Sequence, residues 1–493
     1  MNNNKNFISE AKKFYKNKNF LKAKNCLLEA LKFNNLDKTL ILSINVLISD
    51  ICYKLNEFEN AKNYLLQSTK NGYSNWKIFN SLGNIYLKLR DYKEAEIYFL
   101  KSIKIEKDNE VSLVNLAILY HNLGKEKKAI SFYKKVLKKN PQNIGALYNL
   151  SNIDKNCLDK NIVSDLKNHV KRKNLANFDI AACYYLLAKV EREKKNHDKE
   201  IDFLYEANFS SFKESEKKNL ELNKYWLENI PKKIGKINYK QKKNFSIETE
   251  NIYPIFIIGL PRSGSTLIES IITSGNNVEN LGETNLVNWA ILNTNRDIFI
   301  SKDTNEEIQI DLNKIKEKLL NALQNLNLRQ NDKIFFSEKS LENFFYIETI
   351  LKIFPNAKFI HPYRNLIDNV LAIYNQFLPS ISWSHKLENI LLYINNYLRI
   401  IDIFKKKYPL NIFSISLEKL TNNPKKFSME IYKFCNIEWN EECLNFHSRN
   451  DLFISTASNN QMRGNIKKYD IRKYEPYKKI IKPYLKKYDW INF

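Results

Sequence analysis

The sequence predicts two architectures in series: an all-α helical-repeat solenoid, then an α/β domain built on a parallel sheet. Three observations carry this. A pattern of small and aromatic residues recurs 34 residues apart in the first half. After residue 252, short apolar runs alternate with longer amphipathic stretches, the signature of strand–helix units. One of those apolar runs, "YPIFIIG", opens directly into "LPRSGST", which reads as strand, tight loop and helix start.

The repeat is clearest where "FNSLGNIYLKLRDYKEAEIYFLKSIKIEKDN" aligns with "LVNLAILYHNLGKEKKAISFYKKVLKKNPQN". Leu82 matches Leu116, Gly83 matches Ala117, Tyr86 matches Tyr120, Ala95 matches Ala129 and Phe99 matches Tyr133. Ala61 precedes Ala95 by one period, and Ala23 and Ala30 repeat the theme after a longer spacer. Small residues at fixed places in a helix pair let the helices approach closely, and this pattern resembles the tetratricopeptide repeat. Beyond Asn149 the pattern degrades, then returns around Ala188 and Ala207. The expected organisation is a tetratricopeptide-repeat domain over 1–228, a lysine-rich junction over 229–251 and a second domain over 252–493. Stacked helix pairs present a concave surface, so the resemblance implies a docking face for a partner or substrate, with a bare scaffold as the alternative.

In the second half, "KIFFSEK" (333–339) is expected as a strand and "NFFYIETILKIFP" (343–355) as a helix stopped by Pro355. "AKFIHPYR" (357–364) is the next strand, followed by the helix "LIDNVLAIYNQF", a long helix over 386–406 and the strand in "LNIFSISLEKL". Parallel strands place ligands beyond their C-terminal ends, which is where Arg262 and Arg364 fall. The loop offers backbone N–H groups and hydroxyls at a helix start, an anion cradle made by Arg262, Ser263, Gly264, Ser265 and Thr266. Its spacing is that of a triphosphate loop, yet Ser265 stands where such a loop carries lysine, so a nucleotide kinase or ATPase is the weaker alternative.

The net charge of +25 favours an anionic ligand. It does not point to nucleic acid, because the lysines sit among Glu and Asp on helix faces and aromatic residues do not alternate with them. No apolar run approaches the ~20 residues that cross a bilayer. The start, "MNNNKNFISEAKKF", lacks the apolar core of a secretory signal. Six scattered cysteines form no C-x-x-C pair, and Cys443 with His447 lacks a second half for a metal site, so a reduced, cytoplasmic, metal-free protein is expected.

Taken together, "GLPRSGSTLIESII", "NLGETNLV", "SEKSLENFFYIETILKIFPNAKFIHPYRN", "TASNNQMRG" and "RKYEPY" occur in an order that resembles sulfotransferases using 3′-phosphoadenosine 5′-phosphosulfate (PAPS). The likeness covers roughly 252–480 and is strongest to the protein-tyrosine sulfotransferase branch and to bacterial enzymes with a repeat domain in front. It implies a P-loop-like sulfotransferase domain, with PAPS as donor and no metal. It further implies Glu283 as base, Lys339 at the transferring group, Arg262 and Ser458 at the reacting end, Arg364 at the 3′-phosphate and Lys473 on the nucleotide. The acceptor implied is a hydroxyl of a protein, peptide or saccharide, with protein tyrosine favoured. Three positions depart from the family pattern: Ala372 where serine is usual, Leu366 for proline and Tyr474 for tryptophan. A repeat scaffold with a degenerate nucleotide fold is the non-enzymatic alternative, and Arg364 paired with Asp368 would be its structural counterpart.

Overall fold

The computed structural model describes residues 2–33, 36–72, 74–172, 176–240, 249–274, 278–300, 308–326, 333–449, 452–456 and 458–491. They form two compact units, Met1–Ala146 with Leu320–Leu328, and Leu147–Leu319 with Arg329–Phe493.

The first unit is a run of antiparallel helix pairs. These are α1 (Asn2–Lys16) with α2 (Phe20–Leu31), α3 (Lys38–Lys54) with α4 (Phe58–Lys70), α5 (Trp76–Lys88) with α6 (Tyr92–Ile105), and α7 (Glu110–Asn122) with α8 (Glu126–Lys139). The repeated alanines expected from the sequence, Ala23, Ala61, Ala95 and Ala129, are fully buried where partner helices meet. At Gly83 the approach is closer still, since a Cβ there would lie 2.5 Å from Phe99 Cε1. Each pair turns through one residue in the left-handed region: Lys18, Asn56, Arg90 and Gly124. Asp37, Asn75, Asp91 and Asn109 cap helix starts by accepting from backbone N–H groups of the first turn.

The unit boundary falls inside α9 (Ile144–Ser151), well before the 229–251 junction drawn from the sequence, of which 241–248 lie outside the described residues. The reason lies in the packing of the next helices: α10 (Lys160–His169), α11 (Asn177–Glu193), α12 (His197–Glu214), α13 (Glu216–Lys224) and the short α14 (Ile230–Lys233). In α11 and α12, Ala188 and Ala207 are fully buried, as the repeat pattern requires. The outer side of this pair is tied to the α/β part. The Tyr185 hydroxyl donates to the Gln376 carbonyl (3.1 Å), and Asn208 Nδ2 donates to the Tyr374 carbonyl (3.1 Å). Buried Glu200 accepts from the Tyr477 hydroxyl (2.7 Å) and from Arg192 Nε (2.6 Å).

The α/β part begins with β1 (Ile237–Lys240) and β2 (Ile252–Ile257), then α15 (Ser265–Ser274), β3 (Val278–Asn280), α16 (Leu286–Ile300), β4 (Ile308–Asp311) and α17 (Leu312–Gln324). It continues through β5 (Ile334–Glu338), α18 (Ile347–Ile353), β6 (Lys358–Tyr363), α19 (Leu366–Tyr374), α20 (Leu387–Lys407), β7 (Ile412–Ser416), α21 (Leu417–Asn422) and α22 (Pro424–Phe434). Five strands pair in parallel in the order β3-β5-β2-β6-β7, and β1 pairs with β4 apart from them. Central β2 is apolar because helices cover both sheet faces. Pro254 is tolerated there because the β6 ladder begins only at Ile255. Ile255, Ile257, Ile268, Ile271, Ile360 and Ile415 join one apolar core under the loop that follows β2. The stretch expected as a single helix over 343–355 is a tight 3-10 turn, Leu341–Tyr346, followed by α18. Asn343 explains the break, because its Nδ2 donates to buried Glu338 (2.5 Å) and holds the first turn against the strand end. No described helix is long and apolar enough to cross a membrane.

Candidate active site

The C-terminal ends of β2, β5 and β6 open into a cleft of about 1290 Å³. Its floor is the loop after β2. Gly259 and Gly264 adopt φ of +136° and +98°, and a Cβ at Gly264 would lie 2.6 Å from Leu417 Cδ1, so the loop needs glycine there on both grounds. Arg262 itself takes φ +67°. Such a conformation costs a residue with a Cβ, and local contacts hold it: Ser263 Oγ donates to the Leu260 carbonyl (2.8 Å) and Asn369 Nδ2 to the Pro261 carbonyl (2.7 Å). Ser265 then begins α15, so the first N–H groups of that helix face the cleft.

Lys339, just past β5, is completely buried, and its ammonium meets three partners. Nζ lies 3.1 Å from Glu269 Oε2 and 3.1 Å from Glu283 Oε1, and it donates to Thr266 Oγ1 at 3.3 Å. Desolvation alone would lower the Lys339 pKa, but the two carboxylates outweigh it and hold the pKa above the ordinary lysine value. Glu269 is buried on α15, whereas the Glu283 side chain is 54% exposed. The loop carrying Glu283 is anchored by Glu338, buried at the end of β5. Its oxygens accept from Thr284 Oγ1 (2.9 Å), the Ser340 N–H (3.1 Å) and Asn343 Nδ2.

Arg262 reaches Ser458 across the cleft, Nη1 to Oγ at 2.8 Å. Enclosure lowers the Arg262 pKa, with the like charge of Arg364 adding to the effect. Arg364 Nη1 donates to the Arg262 carbonyl (3.0 Å), and its guanidinium lies over the rings of Tyr469 (4.6 Å) and Tyr474 (5.1 Å). Its Nη2 donates to the Tyr469 hydroxyl, which in turn donates to Asp368, 4.0 Å from Nη2. Arg364 Nε is buried without a partner among the described residues. Lys473 lines the same end of the cleft.

Every residue assigned from the sequence, Arg262, Ser263, Gly264, Ser265, Thr266, Glu283, Lys339, Arg364, Ser458 and Lys473, therefore lies in or directly against one cleft. Ala372 is buried in α19 and does not line it. The sequence reading missed Glu269, Glu338, Tyr469 and Glu342. A carboxylate inside the apolar stretch "LIESII" was the available signal for Glu269. Glu342 also lines the cleft, as do Trp226, Trp383 and Tyr393. Burial raises its pKa from the ordinary 4.5 to about 7, with Glu338 and Glu283 adding to the rise. Among the described residues no group of three or more His, Cys, Asp or Glu is placed to hold a metal ion.

Residues 254–441 match the family model described as "Sulfotransferase family", and residues 42–71, 77–109 and 111–143 match "Tetratricopeptide repeat". An uncharacterized protein of Aquifex aeolicus (strain VF5) is 26% identical over 331 residues, which cover 62% of this chain and 40% of that protein. The chain thus spans well under half the length of this relative. Among solved structures, the sulfotransferase domain of the Synechococcus PCC 7002 olefin synthase is similar at 14% identity. That match covers 48% of this chain and 91% of that one, with a TM-score of 0.32. A tetratricopeptide repeat protein from Parabacteroides merdae ATCC 43184 is similar at 12% identity, covering 42% and 93%, with a TM-score of 0.30.

Proposed function

We propose that this chain, which carries a sulfotransferase-family domain behind tetratricopeptide repeats, transfers a sulfuryl group from PAPS to a hydroxyl acceptor. The observation that carries the reading is the meeting of Lys339 Nζ with Glu283 Oε1 (3.1 Å) and Thr266 Oγ1 (3.3 Å) at the first turn of α15. A cation, a carboxylate and helix N–H groups at one point are what a developing anion and a departing hydroxyl proton require.

The residues present suit this donor. The helix N–H groups at Ser265 and Thr266 line the cleft, and the Arg364 guanidinium lining it supports a phosphate there. PAPS, when bound, supplies the sulfuryl group. Arg262 and Lys339 provide fixed positive charge at the reacting end, and Ser458 orients Arg262 through its 2.8 Å bond. Arg364 and Lys473 hold the nucleotide end, with Tyr474 as an aromatic surface. Glu283, the exposed carboxylate of the site, accepts the acceptor hydroxyl's proton, a role worth ~10²–10⁴-fold in rate.

The acceptor proposed is a protein tyrosine, held by the repeats so that its local concentration at the cleft rises. Saccharide hydroxyls are the next class to screen. The described cysteines are all free, which supports a reducing compartment such as the cytoplasm. The test compares thermal stabilisation by adenosine 3′,5′-bisphosphate (PAP) and by ATP with Mg²⁺, then follows labelled PAPS over tyrosine peptides, saccharides and simple alcohols. Stabilisation by ATP alone, with no transfer from PAPS, would overturn the reading.

A further inference from the structure

Lys339 has three N–H donors, and all three are engaged, by Glu269, Glu283 and Thr266. Any donor oxygen that takes a hydrogen bond from this ammonium must displace one of them. The partners are not equal. Glu269 is enclosed on α15, and separating it from Lys339 would leave an uncompensated charge inside the protein. Glu283 is half in water and can be resolvated when it is released. Thr266 is neutral and sits one helical turn before Glu269, so both hold Nζ from the same helix.

We propose that Glu269 is a positioning residue, the fixed counter-ion that keeps Lys339 charged and aimed at the donor cradle. Occupancy of that cradle therefore costs Lys339 its bond to Glu283, and the base becomes free only when the donor is in place. This rests on the sulfuryl-transfer reading of the cleft. The other charged groups around the ammonium cannot take over. Glu338, next to it on β5, is already saturated by Thr284, Ser340 and Asn343. Glu342 lies on the 3-10 turn after β5 and makes no bond to Lys339 in the described structure.

The experiment uses the full chain with Glu269→Gln and Glu269→Asp. The pH midpoint of the Lys339 Cε chemical shift, followed by NMR of the lysine-labelled full chain without donor and assigned with Lys339→Arg, reports its proton affinity without any reagent having to reach the buried amine. Removing a neighbouring carboxylate must lower that affinity, because the carboxylate raised it. Glu269→Gln is expected to move the midpoint down by at least about one pH unit, about tenfold in proton affinity. It is also expected to lower kcat about tenfold or more at neutral pH, with little change in the KM for PAPS, and to bring the alkaline limb of kcat down in pH by the same interval. Glu269→Asp, which keeps the charge but withdraws it by one methylene, should fall between, and it decides the matter if the glutamine variant does not fold. A midpoint that stays in place in the folded variants, with PAPS turnover intact, overturns the role of Glu269 alone. Absence of PAPS turnover in the unaltered chain overturns the reading of the site itself.

Discussion

Arg364 is proposed to perform two tasks that its position alone does not separate. One nitrogen steadies the carbonyl of Arg262 at 3.0 Å, while the guanidinium also lines the cleft, where a bound phosphate is expected to meet it. Arg364→Ala should therefore weaken both PAP and AMP, through the loosened loop, but PAP more. The excess loss expected is ~1.5–3 kcal/mol, one charge-assisted hydrogen bond to the 3′-phosphate. Isothermal calorimetry with the two nucleotides measures that difference, and equal losses would remove Arg364 from the 3′-phosphate. Glu342 supplies a test through pH. Its folded pKa of about 7 lies above the ordinary 4.5, so its contribution to stability is fully present below about 4.5 and is lost as pH rises through 7. Glu342→Gln, which mimics the protonated form, should be nearly indistinguishable from the parent at pH 4.5 and more stable at pH 8 by roughly 3 kcal/mol in denaturant titrations. What the sequence let one place together were residues in ordered motifs, Arg262, Glu283, Lys339, Arg364 and Ser458, which the fold brings to one cleft. Glu269 and Glu338 were not among them, because a carboxylate on a helix or at a strand end looks like a solvated charge until its buried partner is known.

At the scale of elements, close helix approach in the repeats hangs on single small residues. Alanine is the better helix former by roughly 1 kcal/mol. Gly83→Ala nevertheless should destabilise, since its methyl would enter the Phe99 ring at 2.5 Å and overpacking of a filled interface costs ~1–3 kcal/mol. A net loss of roughly 1 kcal/mol in the unfolding of the repeat unit is expected, and Gly83→Ala with Phe99→Leu should recover it. The periodicity marked Gly83 and Phe99 as repeat positions, taken by Ala117 and Tyr133 one period later, but the contact between them comes from the structure. The strand–helix alternation was equally legible for β5, β6 and β7, whose apolar runs match their strands. What escaped was the 3-10 turn at Leu341–Tyr346. Its cause is a hydrogen bond from Asn343 to Glu338, and no local periodicity encodes such a contact.

For the whole molecule, the division after Ala146 rather than near 228 changes which fragment can stand alone. A protein starting at 147 keeps the bonds from Tyr185 to Gln376, from Asn208 to Tyr374 and from Tyr477 to Glu200. One starting at 229 loses all of them and leaves those polar groups to water or to nothing. The longer fragment is expected to unfold cooperatively and to be stabilised by PAP; the shorter should be aggregated or molten, as circular dichroism and thermal shift would report. If the repeats hold a chain-like acceptor, the 147–493 fragment should keep kcat/KM for a small alcohol and lose it for a peptide. Equal losses would make the repeats a folding support. The compact-unit edge and the expected domain edge differ because α11 and α12 keep the repeat's buried Ala188 and Ala207 on one side, while bonds on the other side fasten them to Tyr374, Gln376 and the C-terminal segment.

The walls of the cleft come from two separate stretches of chain. Leu222 and Trp226, from α13 and the turn after it, line it from the helical side, whereas Arg262, Lys339 and Arg364 line it from strand ends. If the acceptor enters on that side, changes at Leu222 and Trp226 within 216–229 are expected to alter what is admitted, while Tyr225, bonded to Asn288 and Tyr346, is kept. A set of grafts exchanging only that stretch would vary acceptor choice against a constant nucleotide grip, which makes it the natural handle for retargeting the cleft.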